Sequence, residues 1–152
     1  MLARTPRIRC TLFMLAFAVF ASFDVAADEP IFTSMVQLLA HPEKYNGKLV
    51  DVSGYLHVRY EDAAIYFSKT DADFLTTQQA FWTDYREDVK LQLQSRKQHV
   101  TLPDFDCRYV SVRGIFDSRS HGHMGMFPGT IRDISILTEE KRYYDGKREL
   151  TR

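Results

Sequence analysis

The densest run of side chains able to do chemistry is His121-Gly122-His123-Met124-Gly125-Met126. Imidazole is a borderline metal ligand and thioether a soft one, so His121, His123, Met124 and Met126 suit copper better than calcium or magnesium. Gly122 and Gly125 would let a short loop fold these donors onto one ion. The opposing reading is a structured surface loop, in which the glycines make turns, a histidine bonds backbone, and Met126 or Phe127 folds onto the body of the protein. That reading has weight, because structural metal sites usually draw their ligands from separated elements. A third use of His121 and His123 is to grip an organic or protein ligand.

Near this run, Ser118, Ser120, Asp117 and Asp133 complete the residue types of a nucleophile, a base and an orienting acid. No nucleophile-elbow or zinc-protease spacing accompanies them, and closeness in sequence does not make a triad. The sequence therefore predicts a protein that is not an enzyme, with a hydrolase of unrecognised site as the more distant alternative. Asp104, Asp106 and Asp117 read as solvated strand ends, and Cys107 as a small buried hydrophobe at the start of an apolar strand.

The elements that must position these residues are mostly strands. Thr33 and Ser34 offer an N-cap to a short helix whose Met35, Val36, Leu38 and Leu39 share a face, and His41-Pro42 stops it. After the Tyr45-Asn46-Gly47-Lys48 turn, Leu49 to Tyr60 alternates Val50, Val52, Leu56 and Val58 against Asp51, Ser53, Tyr55, His57 and Arg59, the pattern of a long half-buried strand. Gly54 stands at a core-facing position in its middle, the mark of a bulge or a sharp bend. A tight connection leads to a second strand, Ala64 to Ser68, with Ile65 and Phe67 inward and Tyr66 outward. Ala80 to Thr83 makes a short third strand, in which Phe81 and Trp82 compete for the core. Asp84 and Glu87 have capping-box spacing and predict a helix to about Gln98. Cys107 to Asp117 is a fourth strand with Gly114 inward, and Thr130 to Leu137 a fifth.

The chain has 152 residues, 45% of them apolar, with 20 basic and 20 acidic side chains. Arg4, Arg7 and Arg9, the apolar run from Thr11 to Phe23 and the small residues Val25-Ala26-Ala27 have the layout of a secretory signal peptide over residues 1–27. The run is shorter than the roughly 20 residues that span a bilayer, so no membrane span is expected after cleavage. Removing residues 1–27 takes away Arg4, Arg7, Arg9 and Asp24, which leaves 125 residues with 17 basic and 19 acidic groups. A slightly acidic, periplasmic or secreted protein is a poor nucleic-acid partner, although Arg59, Arg108, Arg113 and Arg132 could form a local basic patch. Only Cys107 remains in the exported part, so no internal disulfide forms there. Residues 28–139 are expected to form one domain, followed by a charged tail over residues 140–152 that is expected to be flexible.

Five strands, with a short N-terminal helix and a helix between the third and fourth strands, give a mainly β fold: a five-stranded OB-like Greek-key barrel. Several segments carry this layout: Leu39-x-x-Pro42-x-x-Tyr45-x-Gly47-Lys48-x-Val50 leading to Gly54, Ala64-Ile65-Tyr66-Phe67, Ala80-Phe81-Trp82, Val110-x-Val112-x-Gly114-x-Phe116, and the His121 to Gly125 run. Over about Thr33 to Leu137 the chain resembles small exported bacterial OB-fold proteins. In such barrels strands two and three form the ligand face, flanked by the loops after the first and fourth strands. The resemblance thus implies a ligand-binding mouth of Tyr66, Trp82, His121 and His123, open to an envelope protein, a saccharide or a small ligand, with no cofactor. A looser likeness to exported copper/silver chaperones, which carry His, Met and Trp on a small OB-type barrel, implies copper on the His121 to Met126 loop as the alternative. Here all four donors lie in one loop, whereas those chaperones carry their ligands on barrel strands.

Overall fold

A computed structural model describes residues 29–59, 62–94 and 99–140. The predicted signal peptide and the chain beyond Glu140 lie outside the described residues. Ser34 caps the first helix as expected, its hydroxyl accepting the Gln37 N–H at 3.3 Å. The elements run in the order β1 (Ile31–Thr33), α1 (Met35–Ala40), α2 (Pro42–Tyr45), β2 (Leu49–Arg59), β3 (Asp62–Tyr66), α3 (Lys69–Asp73), β4 (Ala80–Gln92), β5 (Arg108–Asp117) and β6 (Thr130–Glu139). Short 3-10 turns cover Thr77–Gln79, Leu102–Phe105 and His123–Gly125.

The fold is mainly β, a six-stranded sheet in the order β1-β2-β3-β4-β6-β5 whose pairings return from β5 to β2. The strand beyond the predicted five is β1, which lies parallel to β2 with Ile31 opposite Val50. The long strand β2 serves two neighbours: Leu49 to Leu56 pairs with β5, and Tyr55 to Arg59 pairs with β3. Gly54 lies at this change of partner, where an added Cβ would sit 2.6 Å from Ile65 Cγ1 and 2.7 Å from the Tyr66 carbonyl oxygen. Gly114 has the corresponding place in β5, beside a register shift against β6 that accommodates Asp133 at a φ of +54°.

The predicted helix over Asp84 to Gln98 is not formed. Strand β4 instead continues to Gln92 and lies parallel to β6 beyond a register shift, with Leu91 opposite Leu137; residues 95–98 lie outside the described residues. The reason is a period of two: Phe81, Thr83, Tyr85, Val89, Leu91 and Leu93 all fall on one side, and the last four are partly buried against the core. Burying that row on β6 outweighs a local capping signal from two exposed acids. The helical turn before β5 is the 3-10 segment Leu102–Phe105, where the Thr101 N–H donates to Asp104 at 2.8 Å and Phe105 is completely buried.

The core holds Val50, Val52, Leu56, Ile65, Phe81, Val110, Val112, Phe116, Ile131, Ile134 and Leu137 from the strands, closed at one side by Met35 and Leu38 of α1. A second, smaller apolar cluster sits on the other face of the sheet: Tyr55, Ala64, Tyr66, Ala72, Ala80 and Phe127, with Trp82 packed at its border. Alternation alone assigned Tyr55 and Tyr66 to solvent. Instead α3 and Phe127 cover them, and they are 5% and 2% exposed.

Candidate functional site

Strand β4 sends Phe81 into the core, so its neighbour Trp82 points to the other face, where it is half-buried. The loop between β5 and β6 is laid over that indole. Gly122, at a φ of +59°, lies so close that an added Cβ would be 2.6 Å from Trp82 Cβ and Cγ. The His123 ring stacks on the indole at 6.1 Å between centroids and 22° between planes, and Phe127 meets it edge-on at 5.5 Å. His121 Nδ1 lies 2.9 Å from the Phe127 carbonyl oxygen, and since a carbonyl only accepts, that nitrogen donates and Nε2 is left as the acceptor. The thioethers face outward: Met124 is 81% exposed at a φ of +54°, and Met126 is 44% exposed.

Of the four residues predicted to bind ligand, the structure gathers Trp82 and His123 by direct contact, with His121 two residues before His123 in the same loop. Tyr66 is a correction. It lies beneath the outer-face cluster and offers no surface, because Ala72 and Phe127 gain more by covering an aromatic ring than the ring gains in water.

The hydroxyls and acids near this loop hold it in place. Ser118 donates from both N–H and hydroxyl to Asn46 Oδ1 at 3.0 Å, and Thr130 donates to the Ser120 carbonyl oxygen at 2.9 Å. Asp117 accepts the Arg119 N–H at 3.0 Å, and that bond, with Arg119 and Arg132 nearby, holds its carboxyl below the usual range against a smaller opposing effect of burial. The four arginines of the possible basic patch are also engaged: Arg108 with Glu139, Arg113 with Asp51, Arg132 with Asp117 and Asp133, and Arg59 with the His57 ring. Three of these four positive charges are matched by carboxylates on the surface, which leaves no concentrated positive groove there.

A second cluster escaped the reading of the sequence. His57 Nδ1 is 3.0 Å from Asp106 Oδ1, Cys107 Sγ is 3.5 Å from Asp106 Oδ2, and Sγ is 4.0 Å from His57 Nδ1. Burial opposes the charge on Asp106, yet the Val58 N–H at 2.8 Å, with His57 and Cys107, prevails and holds its carboxyl below the usual value. Tyr55 is buried beside this cluster, and burial first, then the neighbouring Cys107, push its phenol up to about 12. Cys107 is exposed, which corrects the expectation of a buried hydrophobe. Phe105 takes the core position, and Cys107 then adopts a φ of +59° with its N–H on the Leu56 carbonyl, so its side chain stays on the outer face. The one available signal was parity: residue 107 is in phase with Tyr109, Ser111 and Arg113, the outward side of β5. Val58 and Arg59, tied to this cluster, also line an apolar cleft of about 540 Å³ with Leu102 and Pro103.

Compared with protein families, with curated proteins and with solved structures, the chain matches none of them. Among the described residues no helix is long and apolar enough to cross a membrane.

Proposed function

We propose that this protein is an exported, non-catalytic binding module on an OB-type barrel, and that it takes a polypeptide of the cell envelope on the face formed by Trp82 and the His121 to Met126 loop. Export rests on the basic and apolar character of residues 1–27. The OB reading is supported by connectivity: β2, β3, β4, β6 and β5 pair in a closed cycle in which only β4 and β6 run parallel. In a barrel of that kind β4 is the third strand and the 118–129 loop joins the fourth to the fifth, which is where ligands are usually taken.

The observation that carries this reading is the stacked Trp82 and His123 pair with Met124 beside it, 81% exposed and left-handed. A non-glycine residue in that conformation costs on the order of 1 kcal/mol, and here it gains no burial in return. Flexible thioethers around an aromatic platform are suited to apolar side chains of a protein partner, whereas a saccharide or small ligand would lean on the rings alone.

The test is a photoreactive amino acid at Met124, with one at Val36 on α1, also exposed, as the control. An envelope-protein adduct from position 124 that is absent at position 36 and lost on His123→Ala is expected. No adduct, together with a Trp82 fluorescence change on adding envelope glycan, would replace the polypeptide with a saccharide. Copper on the loop is the second reading, favoured by the His121 Nδ1 to carbonyl bond that orients Nε2 outward as metal-binding histidines require. Saturable Cu(I) or Cu(II) quenching of Trp82, lost in the His121→Ala, His123→Ala double variant, would establish it.

A further inference from the structure

We propose that His57, Asp106 and Cys107 form a site for one zinc-class divalent ion, with solvent in the fourth position. The site is independent of the Trp82 face and of what binds there. Its three donors are of three kinds, an imidazole nitrogen, a carboxylate oxygen and a thiol sulfur, and their ligand atoms all lie within 4.8 Å of one another. That mixed N, O and S set is characteristic of zinc, while calcium and magnesium would require oxygen alone.

The spacing fits the ion. Bonds of about 2.0–2.3 Å at tetrahedral angles put donor atoms roughly 3.4–3.6 Å apart. The observed separations are 3.0 Å from His57 Nδ1 to Asp106 Oδ1, 3.5 Å from Cys107 Sγ to the other carboxylate oxygen, Oδ2, and 4.0 Å from Sγ to Nδ1, and one donor atom from each residue lies within 4.8 Å of the other two. Each of these contacts is within roughly half an ångström of the tetrahedral value, and rotation of the Asp106 carboxylate and the Cys107 side chain brings one oxygen and the sulfur onto a common ion.

The donors come from two segments far apart in the chain, His57 from β2 and the adjacent Asp106 and Cys107 from the connection into β5, and three protein ligands with a water in the fourth position are the arrangement of an open zinc site. The register that places Leu56 opposite Arg108 brings His57 across from Cys107, one step further along. Asp106 is anchored by the Val58 N–H at 2.8 Å, so one carboxylate oxygen is fixed before any ion arrives. The left-handed backbone at Cys107 keeps the thiol on this face. His57 and Asp106 side chains are 21% and 37% exposed, which leaves a way in for the ion and room for a bound water.

A nucleophilic cysteine is the competing use of the same residues, but the surroundings argue against it. Reactive thiolates sit among cations. Here the sulfur lies closest to a carboxylate, Asp106 Oδ2 at 3.5 Å, and the imidazole 4.0 Å away is turned to that same carboxylate through Nδ1. A cation satisfies such a set. On binding, Cys107 gives up its thiol proton to solvent, while His57 moves its ring proton from Nδ1 to Nε2 and releases the Arg59 Nε–H that now points at Nε2 from 3.0 Å. Thiolate and carboxylate then neutralise the ion.

Cobalt(II) is the probe, added to the reduced full-length chain and followed by absorption. The expected result is a one-to-one sulfur-to-cobalt charge-transfer band that zinc abolishes by displacement. Cys107→Ser should remove the band, His57→Ala should weaken binding by about tenfold or more, the scale seen even for groups behind the ligands, and the His121→Ala, His123→Ala double variant should leave it intact. Circular dichroism and thermal melts establish that each variant is folded. A folded protein without the band, a band that survives Cys107→Ser, or one that disappears with His121 and His123 would overturn the proposal. Because the double variant removes the two loop histidines and spares this cluster, failure here and failure of the Trp82 face are read separately.

Discussion

Trp82 is held from opposite directions by residues that do different work. Phe127 and the apolar cluster support the indole from the protein side, and Gly122 and His123 lie over it from the loop. Two glycines of that loop separate contact from conformation. Gly122→Ala adds a methyl group 2.6 Å from Trp82 at a φ of +59°, so both a clash and a left-handed residue result, and a loss of about 2–3 kcal/mol is expected. Gly125→Ala, at a φ of +69° with nothing within 4 Å, should cost only about 1–2 kcal/mol. Urea denaturation of the two variants gives the difference, and Trp82 fluorescence should shift for Gly122→Ala alone.

Asp117 sets the pH response of the same loop. Its carboxyl is held low in the folded protein, chiefly by the Arg119 N–H, so the stabilisation is complete above the ordinary aspartate range and is lost as pH falls through the lowered folded value. The wild-type protein should therefore lose stability below about pH 4. Asp117→Asn, measured by melting temperature from neutral pH to pH 2, should show a flatter decline over that window.

At the scale of elements, β4 shows how a strand overrides a helical signal. Asp84 and Glu87 have the spacing of a capping box, but both are exposed on a strand and cap no helix. Asp84→Ala should then change stability by less than about 0.5 kcal/mol, whereas loss of a true N-cap would cost about 1 kcal/mol. Leu91→Ala, which strips a half-buried side chain from the row facing the core, should cost about 1 kcal/mol or more. Slow amide exchange from Lys90 to Gln92 would accompany that result, since these residues pair with β6. The alternation of Tyr85, Val89, Leu91 and Leu93 was legible beforehand; which of two local signals prevails depends on whether a partner strand is available, and the β6 residues that pair here lie nearly 50 positions further along the chain, as with Leu91 and Leu137 or Tyr85 and Ile134.

For the whole molecule, Gly54 is the position where local sequence and global architecture meet. Strand β2 changes from β5 to β3 there, and the close approach to Ile65 and the Tyr66 carbonyl leaves no room for a side chain. Gly54→Ala should lower stability by about 1–3 kcal/mol, the range for overpacking a dense core. Because β2 is shared by its two neighbours, the loss should appear as a shifted midpoint of one cooperative transition, with far-UV dichroism and Trp82 fluorescence coinciding.

By itself the sequence determined what depends on near neighbours. The apolar face of Val50, Val52 and Leu56, the Ser34 cap and the tight positions at Gly54 and Gly114 follow from strand period, capping chemistry and the missing Cβ, all local properties. Much of the Trp82 surface was legible in the same way, since a loop rich in glycine and histidine had to return to the sheet between the fourth and fifth predicted strands. Only the tertiary structure decided which way Trp82 faces, that Tyr66 is covered by Ala72 and Phe127, and that His57 meets Asp106 and Cys107 across nearly 50 residues. Those outcomes depend on register and on which element covers each face of the sheet. Both are set by contacts between distant segments, and alternation along one strand carries no information about what will be packed against it.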